Sequence, residues 1–284
     1  MQAQVLSAIV NRVNIKSTIN YGQKYITDLK YVNNGRVCVS VVNSQENTLH
    51  CQFRGGSNSI QYFCNYGACL CYIHGRHYLG DYGIVIYSDN RSLLSYSIQP
   101  QLTGPVLPSQ NEPLDGYIPN GIAVCKSGSL LVSLWNNQVH DRSLGKVLKL
   151  SYAGNKLSEI KTDKNRPLFI CPSYIAENGN GDICVSDVNA VVVTDAGGFL
   201  RFRYTGAQSD PQFDPYGICC DSKNDIIVAD MVKNRIHMID ENGELLHYIQ
   251  YKDMHMPRAL CIDEDDNLYV GEWLSEDIKV LSHQ

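Results

Sequence analysis

The chain has 284 residues, of which 44% are hydrophobic, so it is long enough to bury a large core. Its formal charge of −5 disfavours a non-specific polyanion binder, because such proteins are usually basic overall. No stretch resembles a transmembrane span, and residues 1–5 lack the basic start of a signal peptide. These features predict a cytoplasmic protein.

Charge is unevenly distributed along the chain. Residues 1–150 carry 12 Lys or Arg against 7 Asp or Glu, a net +5, whereas residues 151–284 carry 12 against 22, a net −10. We therefore expect one side of the molecule to be mildly basic and the other clearly acidic.

The 11 cysteines are an odd number, which disfavours the paired framework of a secreted disulfide protein. Several lie inside apolar, strand-like segments, where a small apolar side chain is expected: Cys38, Cys184, Cys219, Cys220 and Cys261. This placement predicts reduced thiols in the core.

Taken in chain order, the sequence begins with an apolar-rich segment, Val5 to Ile19, and then repeats one unit six times. In five units an apolar anchor lies ten residues before the valine of a second apolar segment, as Ile218 does before Val228. The anchors are Leu29, Leu70, Ile122, Ile175, Ile218 and Leu260, at intervals of 41, 52, 53, 43 and 42 residues. In the second unit the spacing is 16 residues, from Leu70 to Ile86, which predicts an inserted turn within residues 72–83.

Each unit has the pattern of four short strands. In the fifth unit, residues 226–229 form a short apolar run, residues 235–240 alternate polar and apolar, and the turn at 241–244 leads into residues 245–249. Four strands in about 42 residues are typical of a propeller blade. The sequence therefore predicts an all-β, six-bladed propeller in a single domain, residues 1–284, with blades starting near 25, 67, 118, 171, 214 and 256.

The N-terminal segment is predicted to close the ring. The sixth unit ends after its third strand, residues 277–282, and a missing fourth strand would leave an unpaired edge. Residues 1–20 precede the first unit, and Val5 to Ile19 has the apolar pattern of an outer strand. We expect this segment to complete the last blade.

The fifth unit resembles an NHL repeat in three motifs: Pro215-Tyr-Gly-Ile, Val228-Ala-Asp and Asn234-Arg-Ile. The sixth unit has Glu272 in place of the Asp, and the first two units agree in spacing alone. The whole chain resembles the C-terminal NHL domain of a tripartite-motif (TRIM) protein. That resemblance implies the substrate- or RNA-recognition end of a ubiquitin ligase, although this chain has none of the RING, B-box or coiled-coil modules.

Two kinds of loop meet around the central channel: those that enter the first strand of each blade and those that leave its second strand. Candidate binding residues lie on these loops. Aromatic, amide and cationic side chains on such loops suit recognition of a partner. The predicted partner-binding residues are Arg91, Tyr117, Asn120, Trp135, Asn136, Tyr174, Asn189, Tyr216, Lys233, Asn234, Arg258 and Trp273. For any single aromatic, packing between blades is the competing interpretation.

Two groups suggest metal sites, and each has a simpler explanation. Asp187, Asp230 and Glu272 recur at one blade position, where they could bind Ca²⁺ or each could accept hydrogen bonds from backbone N–H groups of its own turn. The recurrence favours the structural role, because a structural need repeats with the unit. His74 and His77, with Asp81 nearby, lack the further ligands of a zinc site and are predicted to lie in an exposed turn. We therefore predict no metal and no cofactor.

The leading functional hypothesis is a module that binds a protein partner through the loops around the channel, with the propeller itself monomeric. The first alternative is an RNA-binding NHL domain, for which the acidic second half is unfavourable. The second is a metal-dependent lyase or lactonase on the same fold. Since the sequence has no nucleophile elbow and no phosphate-binding loop, the chain alone is expected not to be an enzyme.

Overall fold

The structure is a computed structural model. It describes residues 10–22, 24–33, 36–41, 48–53, 60–63, 70–77, 80–89, 92–97, 117–136, 145–151, 155–207 and 212–282, and between 48 and 97 it describes the backbone alone. The described residues are all β, and within them no helix is long and apolar enough to cross a membrane.

Two short strands precede the sheets: β1 (Val10–Arg12) and β2 (Ile15–Asn20). The first sheet consists of β3 (Ile26–Asn33), β4 (Arg36–Val41), β5 (Thr48–Phe53) and β6 (Ile60–Phe63). The second consists of β7 (Leu70–His77), β8 (Gly80–Asp89) and β9 (Ser92–Ser97). The third consists of β10 (Ile118–Val124), β11 (Leu130–Trp135), β12 (Lys146–Leu150) and β13 (Lys156–Ile160).

A two-stranded hairpin follows the third sheet, made of β14 (Thr162–Asp163) and β15 (Arg166–Pro167). The fourth sheet consists of β16 (Ile175–Glu177), β17 (Ile183–Asp187), β18 (Ala190–Thr194) and β19 (Leu200–Tyr204). The fifth contains β20 (Pro215–Cys220), β21 (Ile226–Asp230), β22 (Arg235–Ile239) and β23 (Leu245–Gln250). The sixth contains β24 (Pro257–Ile262), β25 (Asn267–Glu272) and β26 (Asp277–Ser282).

The sheets are antiparallel meanders arranged around an axis, which makes the fold a β-propeller. Apart from β1 and β2, the strands within each sheet pair in chain order. The first strand of each sheet contacts the first strand of the next, and β24 of the sixth sheet contacts β3 of the first. Four of the sheets have four strands each. The sheets therefore face one another through their flat sides, and their first strands line the axis.

The hydrophobic core lies in layers between neighbouring sheets. Ile227 and Ile236 of the fifth sheet pack against Leu268 and Val270 of the sixth in one of these layers. Equivalent layers join the third sheet to the fourth, the fourth to the fifth, and the sixth to the first. The second strands have neighbours on both sides, and β17 and β21 are buried at every position. This explains why these segments are continuous apolar runs rather than alternating ones.

The spacing of the repeat corresponds to a strand register. The anchor of the first strand lies opposite the valine of the second in five units, for example Ile218 opposite Val228 and Leu260 opposite Val270. The second unit differs from the prediction by one residue, because Leu70 pairs with Tyr87.

The insertion in that second unit is not an exposed turn. It lengthens β7 and β8, which pair continuously from Leu70 to His77. His74 and His77 therefore lie in a strand and Asp81 lies opposite Arg76, so the prediction of a turn is wrong. Their side chains lie outside the described part of the structure, as does residue 91.

The N-terminal segment pairs with two sheets rather than one. β2 pairs antiparallel with β26, with Ile19 opposite Ile278, and supplies the outer strand of the sixth sheet. β1 instead pairs in parallel with β23 of the fifth sheet, with Val10 opposite Tyr248. The prediction that the whole of Val5 to Ile19 completes the last blade is therefore wrong for Val10–Arg12; residues 1–9 lie outside the described part.

Candidate functional site

Within the described structure, the predicted binding residues lie on one face of the propeller, which we call the loop face; residue 91 is outside the described part. It contains the turns between the second and third strands and the connections that enter each first strand. The turns between first and second strands, and between third and fourth strands, lie on the opposite face. This division follows from the meander order of each sheet.

Packing of neighbouring first strands explains the repeated Pro-x-Gly motif below this face. A Cβ atom on Gly217 would lie 2.4 Å from the carbonyl oxygen of Arg258, and one on Gly121 would lie 2.0 Å from the oxygen of Ser173. The second strand of the third sheet joins the same contact, since Ser133 Oγ of β11 donates to that Ser173 oxygen at 2.6 Å. The glycines permit the close approach that brings loop residues of adjacent sheets together.

Arg258 is the centre of an aromatic cluster on the loop face. Its guanidinium carbon lies 4.7 Å from the ring centre of Tyr216 and 4.4 Å from that of Trp273. Its Nε donates to the hydroxyl oxygen of Tyr174 at 3.3 Å. The structure therefore brings together four of the predicted residues, from three successive sheets. Arg258, Tyr216 and Trp273 are partly exposed, whereas Tyr174 is 7% exposed.

Tyr174 reaches across the axis. Its hydroxyl donates to the carbonyl oxygen of Thr27 in the first sheet at 2.5 Å. Tyr25, two residues before Thr27, is 43% exposed and lies edge-on to Trp273 with ring centres 5.2 Å apart. The sequence prediction missed Tyr25 and Thr27, because the first unit resembles the others in spacing alone. The rings therefore form one cluster, which we call the Arg258 cluster: Tyr25, Tyr174, Tyr216, Arg258 and Trp273.

The predicted residues of the third sheet lie apart from this cluster. The ammonium group of Lys146 lies 4.2 Å from the ring centre of Tyr117 and pairs with Glu159 at 3.3 Å. Asn120 donates to the carbonyl oxygen of Pro172 at 3.2 Å and so joins the third sheet to the fourth. Trp135 ends β11 and Asn136 follows it, both partly exposed.

Two predicted amides have turn-forming roles. Asn189 and Asn234 have φ of 55° and 52°, in the left-handed region that Asn tolerates better than most residues. The side-chain oxygen of Asn234 also accepts from the backbone N–H of Met256 at 2.7 Å, which holds the connection into β24. Lys233 precedes it, partly exposed, and its backbone N–H donates to Asp230 at 3.3 Å.

Asp187 and Glu272 accept backbone hydrogen bonds from the connection into the first strand, not from their own turns as predicted, whereas Asp230 accepts from Lys233 in its own turn. Asp187 accepts from the backbone N–H groups of Ile170 at 2.8 Å and Cys171 at 2.6 Å. Glu272 accepts from the backbone of His255 at 2.8 Å and from the hydroxyl of Tyr251 at 2.7 Å. Among the described residues, no three His, Cys, Asp or Glu come together as a group that could hold a metal ion.

Asp230 belongs to a buried network between the fourth and fifth sheets. Its carboxylate lies 3.1 Å from Nε2 of His237, whose Nδ1 lies 2.8 Å from the hydroxyl of Tyr204. Arg235 lies 3.6 Å from the same carboxylate and stacks over Tyr248. His237 and Asp230 are fully buried, so this network ties two sheets together below the loop face.

Asp214 and Cys171 are titratable side chains on the loop face whose pKa values are raised. Burial raises the pKa of the Asp214 carboxyl and the nearby Asp230 raises it further, while Arg258 acts in the opposite direction. Burial, together with Asp187, raises the pKa of the Cys171 thiol to about 11. Cys171 is therefore a weak nucleophile at neutral pH. Cys184, Cys219 and Cys261 are buried free thiols, in agreement with their predicted place in the core.

The hairpin of β14 and β15 was not predicted from the sequence. It lies between the outer strand of the third sheet and the first strand of the fourth, and Lys161, Lys164 and Arg166 on it are exposed. Lys164 and Asn165 have φ of 46° and 63°, which makes a tight turn. The sequence did contain a sign of this hairpin. The third and fourth anchors are 53 residues apart, whereas anchors without an insertion between them are 41 to 43 residues apart.

Comparison with known proteins identifies the fold. No protein-family model matches the sequence, and no curated protein matches it. Regucalcin, a calcium-binding protein from Agrobacterium tumefaciens, is 12% identical with a TM-score of 0.69 over 98% of this chain and 97% of that chain. A putative gluconolactonase is 16% identical, with a TM-score of 0.63 over 93% and 91%. Virginiamycin B lyase from Staphylococcus aureus is 17% identical, with a TM-score of 0.61 over 94% and 84%.

These comparisons contradict the expectation that the chain alone is not an enzyme. The lyase and the putative gluconolactonase are named for catalytic activities, so similar propellers serve as enzymes. At identities of 12 to 17%, the likeness shows a shared fold and assigns no reaction to this chain. The NHL and tripartite-motif resemblance is not shown by these comparisons.

Proposed function

We propose that the chain is a six-bladed, NHL-type propeller of the cytoplasm and that its loop face binds a protein partner. The contacts of the first strands, from β3 round to β24 and back to β3, support the six-bladed ring. The outer position of β2 against β26 supports its closure by the N-terminal segment. Because the chain resembles the NHL domain of tripartite-motif proteins, we propose that the partner is a substrate of a ubiquitin ligase of that type.

The observation that carries the binding proposal is the Arg258 cluster. Its side chains come from the first, fourth, fifth and sixth sheets, and they are held by stacking and hydrogen bonds at the axis. Partly exposed Tyr, Trp and Arg side chains in a rigid setting are the types that dominate the energy of protein interfaces. Ordering them costs little on binding, because the propeller already fixes them.

Exposed aliphatic side chains on the same face favour a protein over RNA. Val188, Val232 and Leu274 lie on the turns between the second and third strands, and they are 45%, 57% and 44% exposed. Ile170, on the connection into β16, is 49% exposed. Aliphatic tips bury well against apolar side chains but offer no stacking surface to a base.

An affinity capture experiment tests the proposal. The wild-type chain, Trp273→Ala and Val232→Asp are immobilised and incubated with cytosolic extract, with and without ribonuclease, and captured proteins are identified. We expect a partner that resists ribonuclease and is lost in both variants. Val232 is exposed, so Val232→Asp separates lost binding from lost folding, and Lys126→Ala on the opposite face is the matched control. A partner that both variants retain, or one that ribonuclease removes, would refute the proposal.

A second candidate is catalysis at the same face, favoured by the position of Asp214. A carboxyl with a raised pKa beside Arg258, whose Nε bonds to Tyr174, has the character of a general acid. The test is hydrolysis of glucono-1,5-lactone, chosen from the activity named for one similar structure. Turnover by the wild type that disappears in Asp214→Asn, with the fold intact, supports this candidate; equal turnover by both removes it.

A further inference from the structure

We propose that the protein partner docks through an acidic, apolar segment that lies across the basic hairpin, residues 161–167, and the aliphatic tips beside it. This inference rests on the proposed binding of a protein at the loop face, and it names the chemistry of that partner.

The basic hairpin carries a concentrated positive charge. Residues 161–167 contain Lys161, Lys164 and Arg166 against a single acid, Asp163. All three cations are exposed, whereas Asp163 is partly buried. Long cationic side chains that point into water from a turn attract carboxylates and steer their approach.

The hairpin is held rigidly at its base. The backbone N–H of Leu168 donates to the carbonyl oxygen of Lys161 at 3.0 Å, and Leu168 and Phe169 are 2% and 1% exposed. Arg203 of the fourth sheet donates to the carbonyl oxygen of Leu168, and Gly145 forms a bridge with Phe169. The cations are therefore presented by an anchored strand pair, which lowers the entropic cost of binding.

The apolar tips continue directly from the hairpin. Ile170 follows it in the chain, and the backbone N–H of Ile170 donates to Asp187 at 2.8 Å. Val188, next to Asp187, is consequently close to Ile170, and both are about half exposed. Cations and aliphatic groups thus lie side by side, and a segment that mixes Asp or Glu with Leu, Ile or Phe satisfies both.

Many acidic residues of the last three sheets lie on the face opposite the hairpin, whereas Asp163, Asp253 and Glu276 lie on the loop face. The described turns of the fourth, fifth and sixth sheets on the opposite face contain Glu177, Asp195, Asp221, Asp225, Asp240, Glu241, Glu244, Asp263, Glu264, Asp265 and Asp266. The hairpin itself has three exposed cations against one partly buried acid, so an acidic segment meets a net positive charge there.

Panning of a displayed library of random 12-residue peptides on the wild-type chain tests this inference. We expect the selected peptides to be enriched in Asp and Glu next to large aliphatic or aromatic residues. Binding of the synthesised peptides, followed by fluorescence anisotropy, should weaken about ten-fold in Lys161→Glu with Arg166→Glu, and should weaken further as salt is raised. The matched control reverses two charges on the opposite face, Lys126→Glu with Lys223→Glu, and should leave the affinity unchanged.

Three outcomes would overturn the inference. Peptides without an acidic excess, or peptides that bind the hairpin variant as well as the wild type, would remove it. If peptides that bind the hairpin variant normally no longer bind Val232→Asp, the proposed function stands and the hairpin has no part in it. If no peptide is selected and a 20-residue poly(U) RNA binds in a hairpin-dependent way, both this inference and the proposed protein partner fail.

Discussion

Substitution of Gly217 by alanine tests whether close packing of first strands explains the repeated glycine. An added Cβ would lie 2.4 Å from the carbonyl oxygen of Arg258 and 2.8 Å from the amide nitrogen of Leu260, whereas ordinary contacts begin at 3.4 Å. The obstacle is backbone, which cannot rotate away, so β20 and β24 must separate by about 1 Å. Overpacking of this kind costs about 1–3 kcal/mol.

The reduced freedom of the unfolded chain offsets part of that cost, by about 0.4–1 kcal/mol. We expect Gly217→Ala to lower the free energy of unfolding by about 1 kcal/mol in urea and the Tm by roughly 2–4 °C. Gly197→Ala is the control, because its nearest neighbours would lie at 3.2 and 3.4 Å at an exposed turn. If the two variants are equally stable, the steric explanation is refuted.

Three further predictions concern buried polar groups and ring closure. Tyr204→Phe removes the hydroxyl that lies 2.8 Å from the buried His237, so urea denaturation should show a loss of about 1–3 kcal/mol, and a change below about 0.5 kcal/mol would contradict this. The pKa of Asp214 is raised on folding, so wild-type stability falls as pH rises from its ordinary value of 3.8 through the raised value. Asp214→Asn should therefore gain Tm relative to the wild type between pH 3 and 7, and a constant difference would contradict the shift. Ile19 packs in the layer between the sixth and first sheets, whereas Val10 is 46% exposed. Ile19→Ala should therefore lower the free energy of unfolding by about 1–2 kcal/mol, and Val10→Ala by under about 0.5 kcal/mol. The reverse order would contradict closure of the ring by β2.

The strand pattern could be predicted from the sequence because the repeat acts locally. The pairing of Ile218 with Val228 depends on two strands joined by a short turn, so a fixed spacing gives the register directly. The predicted pairing of Leu70 is wrong by one residue, because the lengthened hairpin of β7 and β8 does not keep this fixed spacing. The parallel pairing of β1 with β23 was also missed, since it joins segments more than 230 residues apart and no local pattern records it.

The candidate site could be predicted in part. Tyr174, Tyr216, Arg258 and Trp273 were predicted on one face because each occupies a defined position in its unit. Their mutual contacts depend on how four sheets meet at the axis, which spacing alone does not give. The role of Tyr25 could not be found by the same method, because the first unit lacks the sequence motif that marks the entry loop.

The division of charge follows from the repeat geometry rather than from the two halves of the chain. In the last three sheets, acidic residues close the turns of the opposite face: Asp195, Asp221, Asp240 and Asp263 each accept two backbone N–H groups of their own turn. Because each of these three blades uses such turns, each of them adds carboxylates to the same face. The acidity of these opposite-face turns is therefore largely structural. The basic hairpin lies outside the repeating unit, so no repeated turn requires its charges. Selection for binding a partner could therefore shape the charges of this segment, which leads into the fourth sheet.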